Sequence, residues 1–429
     1  MTEKLMIFLA MRRFFLQCEV ALSPNRDVRA TIGGAMSDSW QETITNAKML
    51  RRDLHAHPEL GWQEYRTADR IRETLSRLNI AWRACAGTGT LAWLNPTGKG
   101  PHIALRGDID ALPLTENSQK NWTSQQPGCM HACGHDGHTA TLMATAHWLK
   151  MQESLLPGPV TLIFQPAEEG GHGAREMIHD GALDGIDVIY GWHNWPAIPF
   201  GKLVCPDDIV MSGNGTFELI VNGLGGHASQ PELCRDPVLA ASAITLNLQQ
   251  VISRRLPPQQ AAVLSVTSIE APSAPTVIPQ QAKIGGSIRV PDKATRETLN
   301  RLITEISQQT AISYGVHCEV NIYPRYEATT NHALPARQMR EQWQTLFGGD
   351  ALHSDIRLPI MASEDFSYYL HEIPGAFALI GSDDGPEHQA PCHSPYYDFN
   401  DRLIPLVTAL FARLCGAPVP EDLPNVGKA

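Results

Sequence analysis

Residues 160–171 read Val-Thr-Leu-Ile-Phe-Gln-Pro-Ala-Glu-Glu-Gly-Gly. The opening run, Val160 to Phe164, is short and apolar but for Thr161, so it has no polar face to turn to water. Such a run is expected as a strand covered on both sides, the situation of a parallel sheet packed between helices. Val188 to Gly191 is a second run of this kind. Around them the chain alternates helix and strand. Helices are expected at 40–56 and 64–79, strands around 90–94 and 103–108, and a loop from Gly134 leads into an apolar helix reaching Lys150.

Residues 212–327 change character. Strands at 216–222, 261–270, 282–290 and 317–326 and helices at 236–255 and 294–313 give the order β-α-β-β-α-β, the split unit of ferredoxin-like domains. Helices at 334–346, 363–371 and 401–415 and a strand at 377–381 return to the first pattern. The expected fold is therefore α/β, a mostly parallel catalytic domain with an inserted ferredoxin-like α+β domain. The boundaries read as 36–211, 212–327 and 328–429, preceded by an extension at 1–35. At 429 residues, more than one core is expected in any case.

The extension is apolar from Leu5 to Met11, but Arg12 and Arg13 interrupt it and the next apolar stretch ends by Leu22. That is too short to span a bilayer, and its charges are misplaced for a signal peptide. Ser-Asp-Ser after Met36 has the look of a helix cap and a natural start for the folded chain. The formal charge of −11, with no basic cluster, argues against nucleic acid or an anionic membrane as partner. Nine scattered cysteines, an odd number, do not form a disulfide framework in so long a chain and fit a reducing cytoplasm.

In open α/β sheets, ligands gather beyond the carboxyl ends of the strands. The strand from Ile103 runs into Arg106-Gly-Asp108-Ile-Asp110, the strand from Val160 into Glu168-Glu169, and the strand from Val188 into Trp192-His193-Asn194. A loop before a helix carries His131-Ala-Cys133-Gly-His135-Asp-Gly-His138, and Cys392-His393 follows the strand at 377–381. Five separate segments thus bring thiol, imidazole and carboxylate to one sheet edge. That donor mixture suits Zn²⁺, Mn²⁺ or Co²⁺, and two ions would use this many ligands. Asp110 fits a turn cap or a carboxylate that orients a histidine ligand from behind. A nucleophilic Cys133 is a competing reading that leaves the paired glutamates without a role. A closed structural zinc site would need short-range ligand pairs, which are missing.

At this point the motifs resemble the amidohydrolase branch of the aminoacylase/carboxypeptidase metallopeptidases, which includes hippurate hydrolases and auxin-conjugate hydrolases. The matching stretches are Arg51 to Leu60, Arg106 to Pro113, Met130 to His138, Gln165 to Gly170, Gly225-Gly-His227-Ala-Ser229, Gly286-Ser-Ile-Arg289, Glu364-Asp-Phe366 and His393-Ser-Pro395. The resemblance implies two divalent ions, Mn²⁺ or Zn²⁺ with Co²⁺ as a third candidate, held by Cys133, His135, Glu169, His193 and His393. It makes Glu168 the general base, His227 a donor to the oxyanion reaching across a homodimer, and Arg289 a grip on the substrate carboxylate. The inserted domain would then be the dimerisation domain. The reaction implied is hydrolysis of the amide bond of N-acyl amino acids or similar small conjugates. A dipeptidase or carboxypeptidase on the same scaffold is the alternative. His172 and Thr276 depart from the pattern, at positions where glycine and asparagine are commoner, which bears on specificity.

Overall fold

The computed structural model describes residues 26–424 and Val426. Most of the expected N-terminal extension, residues 1–25, lies outside the described residues. The chain opens with α1 (Arg26–Ala56), α2 (Tyr65–Arg77), β1 (Ala81–Cys85), β2 (Gly89–Leu94), β3 (Ile103–Asp108), α3 (His135–Met151), β4 (Val160–Gln165), α4 (Gly173–His179), β5 (Val188–Pro199) and β6 (Leu203–Val204). The start expected at Met36 falls inside α1. Ser37 does not cap there; its hydroxyl instead donates to Asp422 at 3.0 Å.

Next come β7 (Ile209–Met211), β8 (Gly213–Asn222), β9 (Gly226–His227), α5 (Pro237–Leu248), β10 (Val263–Glu270), β11 (Val277–Ile278), β12 (Gln281–Val290), α6 (Lys293–Ser313), β13 (His317–Pro324) and β14 (Thr329–Thr330). The chain closes with α7 (Ala333–Phe347), α8 (Ser367–Glu372), β15 (Gly375–Asp383) and α9 (Leu403–Leu414).

Two compact units result. Among the described residues, the larger comprises those up to Asp208, Asn331–Ile356 and those from Tyr368, and the inserted one Ile209–Thr330 with Arg357–Ser367. Residues 357–367 thus group with the inserted unit and not with the segments flanking them. Ser212 N–H donates to Ile360 O at 2.9 Å, and Ile360 N–H to Val210 O at 3.0 Å.

The larger unit holds a seven-stranded sheet in the order β1-β2-β4-β3-β5-β15-β6. Its centre, β4-β3-β5-β15, is parallel, with β1, β2 and β6 added antiparallel at the margins. Every residue of β3 and β4 is buried, which explains the unbroken apolar runs in the sequence. β1 gave no such signal because its residues are mostly exposed. Helices cover the sheet. α9 is buried along nearly its whole length, and Trp40 of α1 meets Trp148 of α3 edge-on with ring centroids 4.8 Å apart.

The inserted unit has a four-stranded antiparallel sheet in the order β10-β12-β8-β13. Burial alternates along β8 and β12, so one face packs while the other is solvated. α5 and α6 supply the packing, with Ala240, Ile244, Leu299 and Ile303 in the same core as Leu219, Ile284 and Ile288. The helix expected over 236–255 ends at Leu248, and a wider turn at Val251–Arg255 replaces its last part.

Candidate metal centre

Parallel pairing decides where the chemistry collects. β3 and β4 run in register to Asp108 opposite Gln165, so the segments leaving them start side by side. Ile109 N–H donates to Gln165 O at 2.9 Å. Asp110 is thereby brought against the 166–171 loop, where its Oδ2 accepts the Glu169 N–H at 2.9 Å. His193 and Asn194 stand on β5 opposite Leu379 and Ile380 of β15.

α3 starts at His135, directly after Gly134, whose φ is +94°. A side chain at Gly134 would meet Asn194 Oδ1 at 2.3 Å and Tyr397 Oη at 2.6 Å, so conformation and space both demand glycine there. This tight entry turns Cys133 and His135 inward, where both are buried.

Donor atoms then converge. Cys133, His135 and His193 offer ligand atoms within 4.8 Å of one another, as do Cys133, Glu169 and His393, and again His135, Glu168 and Glu169. Cys133 Sγ lies 3.4 Å from His193 Nε2, and His393 Nε2 lies 3.1 Å from Glu169 Oε1. Metal–ligand bonds of about 2.0–2.3 Å put neighbouring donors roughly 3–4 Å apart, so these spacings suit a shared ion. The five ligands expected from the sequence and Glu168 all fall in this one constellation.

The rear ring atoms fix which nitrogen faces inward. His193 Nδ1 is bonded to the Asn194 carbonyl oxygen at 2.6 Å, and His135 Nδ1 to Asp110 Oδ1 at 3.2 Å. Each ring donates from Nδ1 and turns Nε2 toward the cluster, the nitrogen that a bound ion would take. His135 Nε2 is buried with no hydrogen-bond partner, which is how an unfilled ligand atom presents itself.

The electrostatics also ask for a cation. Burial works against a charged His135, but Asp108, Asp110 and Glu169 outweigh it and push its pKa up to about 10. His393 is raised chiefly by its hydrogen bond to Glu169. His193 goes the other way, held low by burial and by neighbouring His138. The Cys133 thiol is pushed up by its hydrogen bond with Cys392, by burial and by Glu169. Carboxylates that favour imidazolium here would favour a divalent ion more strongly.

Several residues that gave no separate signal in the sequence hold this frame. His138, one turn after His135, bonds Asp108 Oδ1 at 2.6 Å and Asn194 Oδ1 at 2.7 Å, tying α3 to the end of β3 and to β5, which runs on to Pro199 past its expected end. Arg106 pins the other oxygen of Asp108 at 2.6 Å and Gln165 Oε1 at 2.8 Å. Arg51 Nε and His55 Nδ1 lie 3.3 and 2.8 Å from Asp136 Oδ2, locking the first turn of α3 onto α1. The i, i+3 spacing of His135 and His138 on a helix, and the alternation of Arg106 and Asp108 on a strand, are the cues that could have marked them.

The other two expected functional residues belong to the inserted unit. His227 is exposed on β9, its Nδ1 accepting from Ser229 N at 3.1 Å. Arg289 is half-buried on β12 and donates to Ser287 Oγ at 2.6 Å and Ile288 O at 2.9 Å. His172, in the larger unit, has φ +59° and bonds Tyr368 Oη through Nδ1 at 2.8 Å. Among the described residues, all eight cysteines are free and no helix is long and apolar enough to cross a membrane.

Known proteins give this arrangement a family. The model of peptidase family M20/M25/M40 matches residues 104–416. An IAA-amino acid hydrolase of Arabidopsis thaliana is 38% identical over 85% of this chain and 83% of its own. The N-acetylcysteine deacetylase of Bacillus subtilis is 35% identical, covering 85% of this chain and 94% of that one. The crystal structure of a dinuclear metal binding M20 peptidase from Bacillus subtilis superposes with a TM-score of 0.76 at 32% identity, over 87% of this chain and 98% of that chain. With sequence, fold and the order of its motifs in agreement, the chain belongs to peptidase family M20/M25/M40, in its amidohydrolase branch.

Proposed function

We propose that the chain hydrolyses the amide bond of N-acyl amino acids or related small amide conjugates, using two divalent ions held by Cys133, His135, Glu169, His193 and His393. The observation that carries this reading is the donor constellation itself, with Glu168 placed beside His135 and Glu169. An amide carbonyl is a poor electrophile, and bound Mn²⁺ or Zn²⁺, with Co²⁺ as a third candidate, would supply Lewis acidity and make water more acidic.

Glu168 takes a proton from the attacking water and returns it to the leaving nitrogen, the part of a carboxylate that faces the metals without being consumed as a ligand. Asp110 orients His135 and, through the Glu169 N–H, the loop that carries both glutamates. His227 is assigned to the oxyanion and Arg289 to the substrate carboxylate, both on the strength of the family motifs around them. A cytoplasmic location is part of the same proposal, supported by nine scattered cysteines that make no disulfide framework.

The inserted unit is proposed to form a homodimer. β10 closes one end of the four-stranded sheet and is largely exposed, an open ladder edge that can template a second strand. α5 leaves Leu239 and Leu246 exposed, 56% and 73%, and Ile269 of β10 adds another exposed apolar side chain. A second copy meeting this surface would continue the sheet and cover them.

Purified protein incubated with a mixed library of N-acyl amino acids and dipeptides, read by mass spectrometry before and after chelation, tests the activity. Loss of N-acyl substrates that stops on chelation and returns with added Mn²⁺ or Zn²⁺ is expected. Cleavage of dipeptides alone would transfer the reading to a peptidase, and full activity in verified metal-free protein would refute it.

A further inference from the structure

Cys392 immediately precedes His393, and the loop that bears them is tied to the loop that bears Cys133. His393 N–H donates to Ala132 O at 2.7 Å. The residues flanking that bond are Cys133 and Cys392, and Cys392 is the strongest influence raising the Cys133 thiol pKa. Asn194 Nδ2 lies 3.9 Å from Cys392 Sγ and 2.7 Å from Tyr397 Oη, and Asn194 Oδ1 receives His138, so the frame around the pair is fixed. Cys133 is buried, while Cys392 is partly open to solvent.

We propose that Cys133 and Cys392 form an oxidative modification site, converted by a hydroperoxide to a disulfide. Neighbouring thiols of unequal exposure suit the two-step chemistry. The Cys392 sulfur, the accessible one, attacks a peroxide oxygen. An S–O bond forms, the O–O bond breaks, and water leaves after taking up the thiol proton. Cys133 then attacks the sulfenic sulfur from its buried position. The S–S bond forms, the S–O bond breaks, and a second water departs with the Cys133 proton. Overall the two thiols lose two protons and two electrons, and one hydrogen peroxide becomes two waters. Disulfide closure needs the sulfurs at about 2.05 Å and the Cα atoms about 4.4–6.8 Å apart, the spacing expected of residues flanking one backbone bond between two segments.

The disulfide rests on this adjacency alone. Its effect on metal rests on the assignment of Cys133 as a ligand, because a disulfide sulfur cannot serve as a thiolate donor. Ligation holds the Cys133 sulfur toward the ion, so the filled centre is expected to resist peroxide and the emptied one to react. Oxidation would then lock the protein in a metal-free state until a thiol reductant reopens it.

The test treats full-length protein, metal-loaded and chelator-treated in parallel, with hydrogen peroxide, followed by alkylation and non-reducing peptide mapping. A peptide linking Cys133 to Cys392 is expected in the emptied protein, with two of the nine thiols consumed. It should be scarce in the loaded protein and vanish on reduction with dithiothreitol. Elemental analysis should show metal uptake falling by more than the roughly 10–100-fold typical of losing a ligand's hydrogen-bond partner, and returning on reduction. Cys392→Ser should take up metal normally and form no linked peptide. Absence of the linked peptide from emptied wild-type protein overturns the proposal, as does equal, reversible peroxide sensitivity of metal uptake in Cys392→Ser. A linked protein that still takes up its full metal content would leave the modification site standing and overturn Cys133 as a ligand.

Discussion

The buried carboxylate of Glu64 accepts the backbone N–H of Ala167 at 2.9 Å, one residue before Glu168. Its other oxygen accepts from Thr88 Oγ1 at 2.7 Å. Ala167 has φ +52°, a left-handed conformation that a non-glycine residue adopts only when its surroundings enforce it. Glu64 therefore anchors the turn that aims Glu168 and Glu169.

Burial, with the charge of Asp110, raises the Glu64 pKa to about 7, against the pull of its hydrogen bonds with Thr88 and Ala167. An unfolded glutamate ionises near 4.5, so between 4.5 and 7 the folded chain keeps a proton that the unfolded chain has released. This contribution is fully present below 4.5 and is lost as pH rises through about 7. Its size is roughly 3 kcal/mol, from the rise from 4.5 to about 7 at about 1.36 kcal/mol for each pH unit. Glu64→Gln should flatten the corresponding fall in Tm between pH 4.5 and 7. Melting curves across that range would show an unchanged slope if Glu64 is not the group responsible.

Asp110→Asn should weaken metal binding about 10–100-fold while preserving the fold, because the amide loses the charge that favours a donating His135 Nδ1. Titration of emptied protein with Zn²⁺ or Mn²⁺, beside a circular dichroism spectrum, measures both. Unaltered affinity would remove Asp110 from the support of His135.

Glu168→Gln should retain both ions and lose about 10²–10⁴-fold in kcat, the range of a general acid–base group. Glu169→Gln should lower metal content, since Glu169 groups with Cys133 and His393. Elemental analysis and kcat measured on the same preparations decide between them. Exchanged effects would mean that base and ligand have been assigned the wrong way round.

His227→Ala should keep metal and fold and lose about 10²–10³-fold in kcat, the usual worth of one oxyanion donor. Mixing this variant with Glu168→Gln separates action across a dimer from action within one chain. If His227 serves the partner's centre, a mixed dimer has one site with both defects and one with neither, and activity should partly return. No recovery after verified subunit exchange would confine His227 to its own chain.

The sequence alone determined the architecture and the ligand types. Largely apolar runs such as Val160 to Phe164, alternating with helices, indicated strands covered on both faces, and β-α-β-β-α-β order within 212–327 marked the inserted unit. Cys133, His135, Glu169, His193 and His393 stood out as candidate donors by residue type, and their reading as one ligand set came from the family resemblance. Local pattern could not reveal what depends on long-range packing. Glu64 meets Ala167 across 103 positions, and His138 meets Asn194 across 56, because helices packed on a sheet meet strands and loops that are distant along the chain. The Cys133–Cys392 pair belongs to the same class. Nothing in the sequence links the two cysteines, and the backbone bond from His393 to Ala132 brings their segments together. Donor chemistry is written in residue type, whereas the partner of a buried polar atom is settled by which segments the sheet sets side by side.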